Sequence, residues 1–562
     1  MAEADAVRAT STPPRPHPGG PARVATVLAH IEAVRDRPRA GLDDGDFTPD
    51  WSDRPSPHTS HPGAEQVPLP TARPADGCGS LADAVTYAET AAGGGGGGGA
   101  GAETAGAPGL TLRSFAGALH LTAGPLSRRW QIDWNGDAAR RARLRTAAWG
   151  RGTPSGGANH PWELYWAPAP GLPVPPGLLH YASGRHTLER LATGDATPAI
   201  RAALPAAPPP PTGGYLICTL RPWKTAFKYG NFAYHVATHD IGAFLGSWNL
   251  LRRAAGDPAR AVLDFDEDAV GRVLGLDPGE ESAYAVLPLA WHPGEHRAPL
   301  PGTPAPAAPT GGGPGRPRAA ERSRRPRGFP LLDALRSATA GRRPGAAPGA
   351  PPAPVPVTSS PPVPLPRAPV PGAGLAGLLS RRRSAVGRLD PRTPLTAEEL
   401  AVVLRCAAAA SGERSVVRMR VLAQRIEGIG PGSYEYASGR HVLLPTGPTA
   451  RLAAGDYALE NYAVAQAAAV IAFTWRPVPV LDALGAHGYR AAHAEAGAAA
   501  QHLHLAAQAL GLACGLVLGT DPRAVDRAVT GPADGEDEVR TSLCAFLSPR
   551  LPGTAALDDR LV

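Results

Sequence analysis

Two stretches of this chain are copies of one another. PGLLHYASGRHTLE, starting at Pro176, and PGSYEYASGRHVLL, starting at Pro431, are identical at nine of fourteen positions, 255 residues apart. The same offset carries Arg221-Pro222 onto Arg476-Pro477, Gly230 onto Gly485, Tyr234 onto Tyr489 and Asp240 onto Glu495. It continues through Gly242 on Gly497, Leu250 on Leu505 and Gly256 on Gly511. A constant offset over so long a run is a duplication, so the chain must build two related halves. At 562 residues it is long enough for two or three domains, each with its own core.

Residues 1–50 mix Pro, Arg and Asp around one short helical stretch near Val24 to Val34, and are expected to form a disordered arm. The first domain is drawn over residues 51–296. In it Ser80 to Thr90 is helical and runs into seven glycines, Gly93 to Gly99, expected to be a flexible loop. RGTPSGG at Arg151 to Gly157 is a turn leading into a strand, and YASGRH closes a strand at Ser183-Gly184. Ile241, Phe244, Leu245, Trp248 and Leu251 recur at helical spacing, which marks a packing face. Residues 297–372 are Pro, Ala, Gly and Arg without apolar periodicity, the composition of a disordered linker. The second domain is drawn over 373–562, with a helix ending in SRRRS, a helix opened by Thr396 with Glu398 and Glu399 in its first turn, and the second YASGRH. An Ala-rich helix around Ala491 to Leu510 and a strand-like GLACGLVLG complete it. Each copy reads as α+β, helices around a small sheet.

Positive charge is carried by arginine except at Lys224 and Lys228, the only lysines, both within RPWKTAFKYGNFAYHVATHDIG at Arg221 to Gly242. A guanidinium cannot be deprotonated in a protein, whereas a desolvated lysine can act as a base. Lys228 has a second proton carrier, Tyr229, beside it; Lys224 is expected to steer substrate or to be solvated. At the same offset the second copy has Ala483 and Leu484, so the copies share a scaffold but not this chemistry.

The formal charge of +7 lies in one place: nine arginines against Glu321 and Asp333 between Arg316 and Arg343, 9 − 2 = +7. With the rest balanced and Phe329 the single aromatic among these arginines, a nucleic-acid face is not expected. Five cysteines are scattered with no CxxC pair and no His cluster at zinc spacing, so neither a disulfide framework nor a metal site is expected. No apolar run is long enough to span a bilayer and the N-terminus lacks a secretory pattern, which together predict a cytoplasmic protein.

Taken in order, RGTPSGG at 151–157, FKYGNFAYHVATHDIG at 227–242, SRRRS at 380–384 with PLTAEELAVVL at 394–404, and HGYRAAHAEAGAAAQHLHLAAQALGLACGLVLG at 487–519 resemble the nitroreductase superfamily of flavin enzymes. Within it they resemble the SagB-type azoline dehydrogenases, peptide maturases that form thiazole or oxazole. The resemblance implies two nitroreductase-like α+β domains in one chain, paired as a pseudo-dimer with FMN between them. It implies cofactor contacts from Arg151, Pro154, Ser155, Gly156 and Gly157 of the first copy and from Arg382, Arg383, Ser384, Cys514 and Gly515 of the second. The first copy has SLADAVTYAET where Arg-Arg-Ser is expected, and the second has SGERS where Pro-Ser-Gly-Gly is expected. These losses are complementary, which predicts one complete composite site and one abandoned one. The implied reaction is oxidation of an azoline in a ribosomal precursor peptide, with Lys228 as base, Tyr229 as its partner, oxygen reoxidising the FMN, and a cyclodehydratase as partner protein. Which of His235 and Arg490, equivalent by the offset, would touch FMN stays open. Two other readings also stay open: a nicotinamide-dependent nitro or flavin reductase, and a flavin-free scaffold that binds the precursor peptide or the cyclodehydratase.

Overall fold

Short runs rich in β-branched and aromatic residues, separated by Gly and Pro turns, form two antiparallel sheets. The structure, a computed structural model, describes residues 20–43, 47–71, 78–93, 109–133, 143–205, 211–257, 260–295, 317–341, 361–411, 415–447, 451–459, 461–530, 538–551 and 556–560. The first sheet is built from β1 (Glu65–Pro68), β2 (Trp162–Ala167), β3 (Gly177–Ala182), β4 (Thr187–Thr193), β5 (Tyr215–Leu220) and β6 (Ser282–Pro288), in the order β1-β4-β3-β2-β5-β6. The second uses β7 (Val363–Pro364), β8 (Arg418–Ala423), β9 (Gly432–Ala437), β10 (Val442–Gly447), β11 (Ala469–Trp475), β12 (Ala513–Val517) and β13 (Arg540–Ser548), in the order β12-β13-β11-β8-β9-β10-β7. Strand for strand the second repeats the first and adds β12 at one edge. All seven residues of β11 are buried, as a sheet covered on both faces requires. A small third sheet pairs Ala556–Arg560 with Ser127–Asp133, tying the last strand of the chain to the first half.

The duplication reaches further than the 255-residue offset alone. VPLP occurs at Val67 to Pro70 and again at Val363 to Pro366, and each copy pairs with the second strand of the YASGRH hairpin. The same two hydrogen bonds hold each turn. Tyr181 Oη lies 2.9 Å from His186 Nδ1, whose Nε2 is 3.3 Å from the Pro70 carbonyl. In the other copy Tyr436 Oη lies 2.8 Å from His441 Nδ1, whose Nε2 is 3.0 Å from Pro366 O.

Six helices matter for the site: α1 (Gly20–Ala40), α2 (Trp223–Tyr229), α3 (Ala233–Ala254), α4 (Pro330–Thr339), α5 (Leu375–Arg381) and α6 (Gly488–Ala509). The equivalent helices α3 and α6 are buried along most of their length and cross at glycines. A Cβ on Gly242 would lie 2.2 Å from the Ala494 carbonyl oxygen, and one on Gly497 would lie 2.2 Å from that of His239. Since 239 + 255 = 494, the two contacts are one contact seen from either side. Side chains repeat the reciprocity: His235 Nδ1 is 2.9 Å from Tyr489 Oη, while Arg490, its equivalent, donates from Nε to Tyr234 Oη at 3.4 Å. This is the self-complementary contact of a two-fold dimer, made within one chain.

Two spans expected to be disordered hold ordered elements. The arm contains α1, whose Val27, Ile31 and Val34 are buried. The linker contains α4 and β7. The Leu331 amide at the start of α4 donates to Asn231 Oδ1 at 2.9 Å, Tyr234 Oη is 2.6 Å from Thr339 Oγ1, and Arg23 of α1 donates to Ala338 O at 2.6 Å. Partners remote in sequence order these segments, and local composition does not report them. The glycine run at 94–99 lies outside the described residues, as do 296–316 and 342–360 of the linker. Among the described residues no helix is long and apolar enough to cross a membrane.

Candidate active site

The turn at Pro154 to Gly157 takes its shape from one carboxylate. Asp240 of α3, buried, accepts from Ser155 Oγ at 2.6 Å and from the Gly156 amide at 2.9 Å, and Ser155 Oγ accepts in turn from the His160 amide at 2.8 Å. Burial raises the Asp240 carboxyl to about 7, against the pull of its two donors. Gly157 follows in the left-handed region at φ +64°, which favours glycine, and is exposed. Lys228 and Tyr229, at the end of α2, stand over it. A Cβ at position 157 would lie 2.7 Å from Lys228 Nζ and 3.1 Å from Tyr229 Oη. Both side chains are partly buried, and Lys228 Nζ lies 4.9 Å from the Tyr229 ring centre and 5.9 Å from that of Trp51. Burial and the Asp240 charge push the Tyr229 phenol above its ordinary range, so it stays a donor.

The second half closes the site. Arg382, just past α5, is buried and donates from Nε to Gly152 O at 2.8 Å and from Nη2 to Arg151 O at 3.3 Å, so the Arg-Arg-Ser segment grips the base of the Gly157 loop. Three residues on, the Ala385 amide donates to Cys514 O at 3.0 Å, which fastens that segment to β12. Ser384 hydrogen-bonds the buried Tyr462 phenol, and a Cβ on Gly515 would strike the Tyr462 ring at 2.4 Å. Farther along, Leu518 packs with Tyr229 around Val236 and Phe232. Tyr229 of the first half and Leu518 of the second thus cover the same cluster, while Arg382 ties the base of the Gly157 loop to the segment fastened to β12. Arg383 and Arg388 act electrostatically on Arg550 beside the same segment. A guanidinium at the base of a loop that ends in two glycines suits a flat ligand that carries a phosphate.

The predicted residues do not all face this opening. The Arg151 guanidinium turns into the first half, where Nη2 donates to Pro57 O at 2.9 Å and lies 3.3 Å from His58 Nδ1; only its backbone meets Arg382. Cys514 sits in β12 with a buried thiol that desolvation raises to about 12, so it is no thiolate. Lys224 neither steers substrate nor is solvated: it is buried and ion-paired with Glu163. Burial alone would raise the Glu163 carboxyl, yet Lys224 and His180 hold it well below the usual range. His235 and Arg490 each reach the other copy's tyrosine across the α3–α6 contact, and Arg490 also pairs with Glu267.

Sequence reasoning missed the contribution of the arm. Arg37 of α1 donates to Leu518 O at 2.9 Å and lies over the Phe232 ring at 3.7 Å. Asp43 accepts from the Asn231 amide at 2.7 Å and blocks the space a Cβ on Gly230 would need, so it clamps the turn that follows Tyr229. The equivalent position in the other half keeps the frame without the chemistry. There Glu495, matching Asp240, accepts from Ser415 Oγ and, at 3.2 Å, from the Val416 amide. Ala483 and Leu484 stand in place of the Lys-Tyr pair, and the helix Leu81–Gly93 in place of the Arg-Arg-Ser segment.

Comparison with known proteins follows this division. Residues 379–544 match the nitroreductase family, whose members typically bind FMN. A protein described as a nitroreductase, from Anabaena variabilis, overlays at a TM-score of 0.62 with 19% identity, covering 94% of this chain and 99% of its own. Partial overlays are found with the Escherichia coli microcin synthetase McbBCD complex with truncated pro-MccB17 bound (TM-score 0.25, 15% identity, 30% of this chain and 69% of that one) and with a Ralstonia eutropha protein described as a nitroreductase (TM-score 0.26, 18% identity, 37% and 97%). No curated protein sequence matches the chain. The two halves therefore form an α+β fold of the nitroreductase type, and residues 379–544 carry the match to the nitroreductase family.

Proposed function

We propose that this chain is an FMN-dependent dehydrogenase that oxidises thiazoline or oxazoline rings of a ribosomal precursor peptide to the aromatic azoles. The observation that carries the reading is that Lys228 and Tyr229 meet Gly157 on a loop whose base, at Arg151 and Gly152, is held by Arg382 of the other half. Arg382, Arg383 and Ser384 would hold the cofactor phosphate, and Ser155, Gly156 and Gly157 the edge of its ring system. FMN, when bound, supplies the acceptor for the hydride that leaves the azoline. Lys228 takes the ring proton at Nζ, and Tyr229, kept protonated, donates a hydrogen bond that orients the ring. Loss of one proton and one hydride makes the ring aromatic. Trp51, 57% exposed beside Lys228, offers an apolar face at the mouth for the peptide. A cyclodehydratase that makes the azoline is the natural partner.

The test is to incubate the full chain in air with a short peptide bearing a single thiazoline. The reading expects a product lighter by two hydrogen atoms in the mass spectrum. An unchanged peptide, with turnover of a nitroarene and a reduced nicotinamide instead, would replace it with the reductase reading.

A further inference from the structure

The α3–α6 contact holds a group of side chains that the proposed reaction does not use. His235 and His239, four residues apart, share one face of α3, and His493 of α6 faces them from the other half. One ring nitrogen from each lies within 4.8 Å of the others, and the three ring centres form a near-equilateral triangle with sides of 4.7, 4.8 and 4.9 Å. All three are buried, at 6%, 4% and 2% exposure.

Their hydrogen bonds leave lone pairs available. His239 Nδ1 lies 2.7 Å from the His235 carbonyl and His493 Nδ1 lies 2.7 Å from the Tyr489 carbonyl. A carbonyl only accepts, so both Nδ1 atoms carry the proton and both Nε2 atoms carry the lone pair. His235 Nδ1 is engaged by Tyr489 Oη. Imidazoles anchored in this way through one nitrogen are the usual ligands of a metal bound at the other. Burial lowers all three rings well below neutrality or to about 4, which keeps them uncharged. His239 Nε2 is 2.7 Å from Ser542 Oγ, an interaction that an ion would displace. Nearby, His30 of α1 is 4% exposed and neither ring nitrogen has a hydrogen-bond partner among the described residues.

We propose that His235, His239 and His493 form a divalent-metal site of the zinc class that joins the two halves across their pseudo-two-fold contact. Three neutral imidazoles without a carboxylate suit Zn²⁺, Co²⁺ or Ni²⁺ rather than Mg²⁺ or Ca²⁺. Zinc–nitrogen bonds of about 2.0–2.1 Å place tetrahedral ligands roughly 3.4 Å apart, so the rings need only draw together modestly. Water or the His30 imidazole would fill the fourth position. The HVATH spacing on a helix is the sequence signal, and only the fold joins it to a third member 254 residues from His239.

The experiment uses the untagged full chain, stripped with a chelator and titrated with Co²⁺ and, separately, Zn²⁺ in equilibrium dialysis. One ion per chain should bind, with the intense visible ligand-field bands of four-coordinate cobalt. His239→Gln and His493→Gln should each weaken Zn²⁺ binding by about 100-fold or more, the scale set by loss of even a supporting contact. His292→Gln, away from the triangle, should leave it unchanged. Absence of a stoichiometric site in the unaltered chain, or equal affinity in both triangle variants, overturns the proposal. If the variants fail to fold, the cobalt stoichiometry and spectrum of the unaltered chain decide it.

Discussion

Lys228 can reach the Gly157 loop only because position 157 has no side chain: a Cβ there would lie 2.7 Å from Nζ, on a backbone already at φ +64°. Gly157→Ala should therefore cost about 1–2 kcal/mol from the left-handed backbone alone, and displace Lys228 as well. Thermal melts together with azole formation would show both effects. Lys228→Ala should keep the bound flavin and slow azoline oxidation by about 100-fold or more, the contribution expected of a positioned base. Lys228→Arg should not restore the rate, because a guanidinium does not give up its proton. Unimpaired oxidation by either variant, measured by mass spectrometry of the peptide, would remove Lys228 from the chemistry. Rarity of lysine singles out residues 224 and 228 together and cannot separate the two. What separates them is Glu163, 61 residues before Lys224 in sequence and ion-paired with it in the fold.

At the level of elements, the site depends on how closely α3 and α6 cross. Gly242→Ala puts a methyl into the Ala494 backbone and Gly497→Ala puts one into that of His239, and backbone cannot rotate aside as a side chain can. Each should lower stability by about 1–3 kcal/mol, the range for an overpacked contact, and release flavin as the halves part. Equal melting temperatures for these variants and the parent would show that the helices do not meet there. The strands, the long helices and the 255-residue equivalence were legible because their signals are local and periodic. The arm and the linker were not. Val27, Ile31 and Val34 of α1 and Leu332 and Leu335 of α4 do carry helical spacing, but within Pro- and Arg-rich surroundings that resemble disorder. Their order comes from Asn231, Tyr234 and one another. VPLP was visible twice in the sequence, yet only pairing with equivalent hairpins shows that the second copy starts inside the presumed linker.

For the whole molecule, duplication followed by unequal loss explains why the interface is symmetric while the chemistry is not. His235–Tyr489 and Arg490–Tyr234 keep the two-fold frame, and Asp240 and Glu495 shape equivalent turns. Only one turn carries Gly157 beside Lys228 and meets Arg382. The most direct measurement is the ratio of FMN to chain, determined after denaturation of the purified, flavin-reconstituted protein, for the parent and for Arg382→Ala/Arg383→Ala. This account predicts one FMN per chain in the parent and none in the double variant. Two per chain would show that the second position still binds, and none in the parent would show that the Gly157 loop and the Arg-Arg-Ser segment do not form a flavin site.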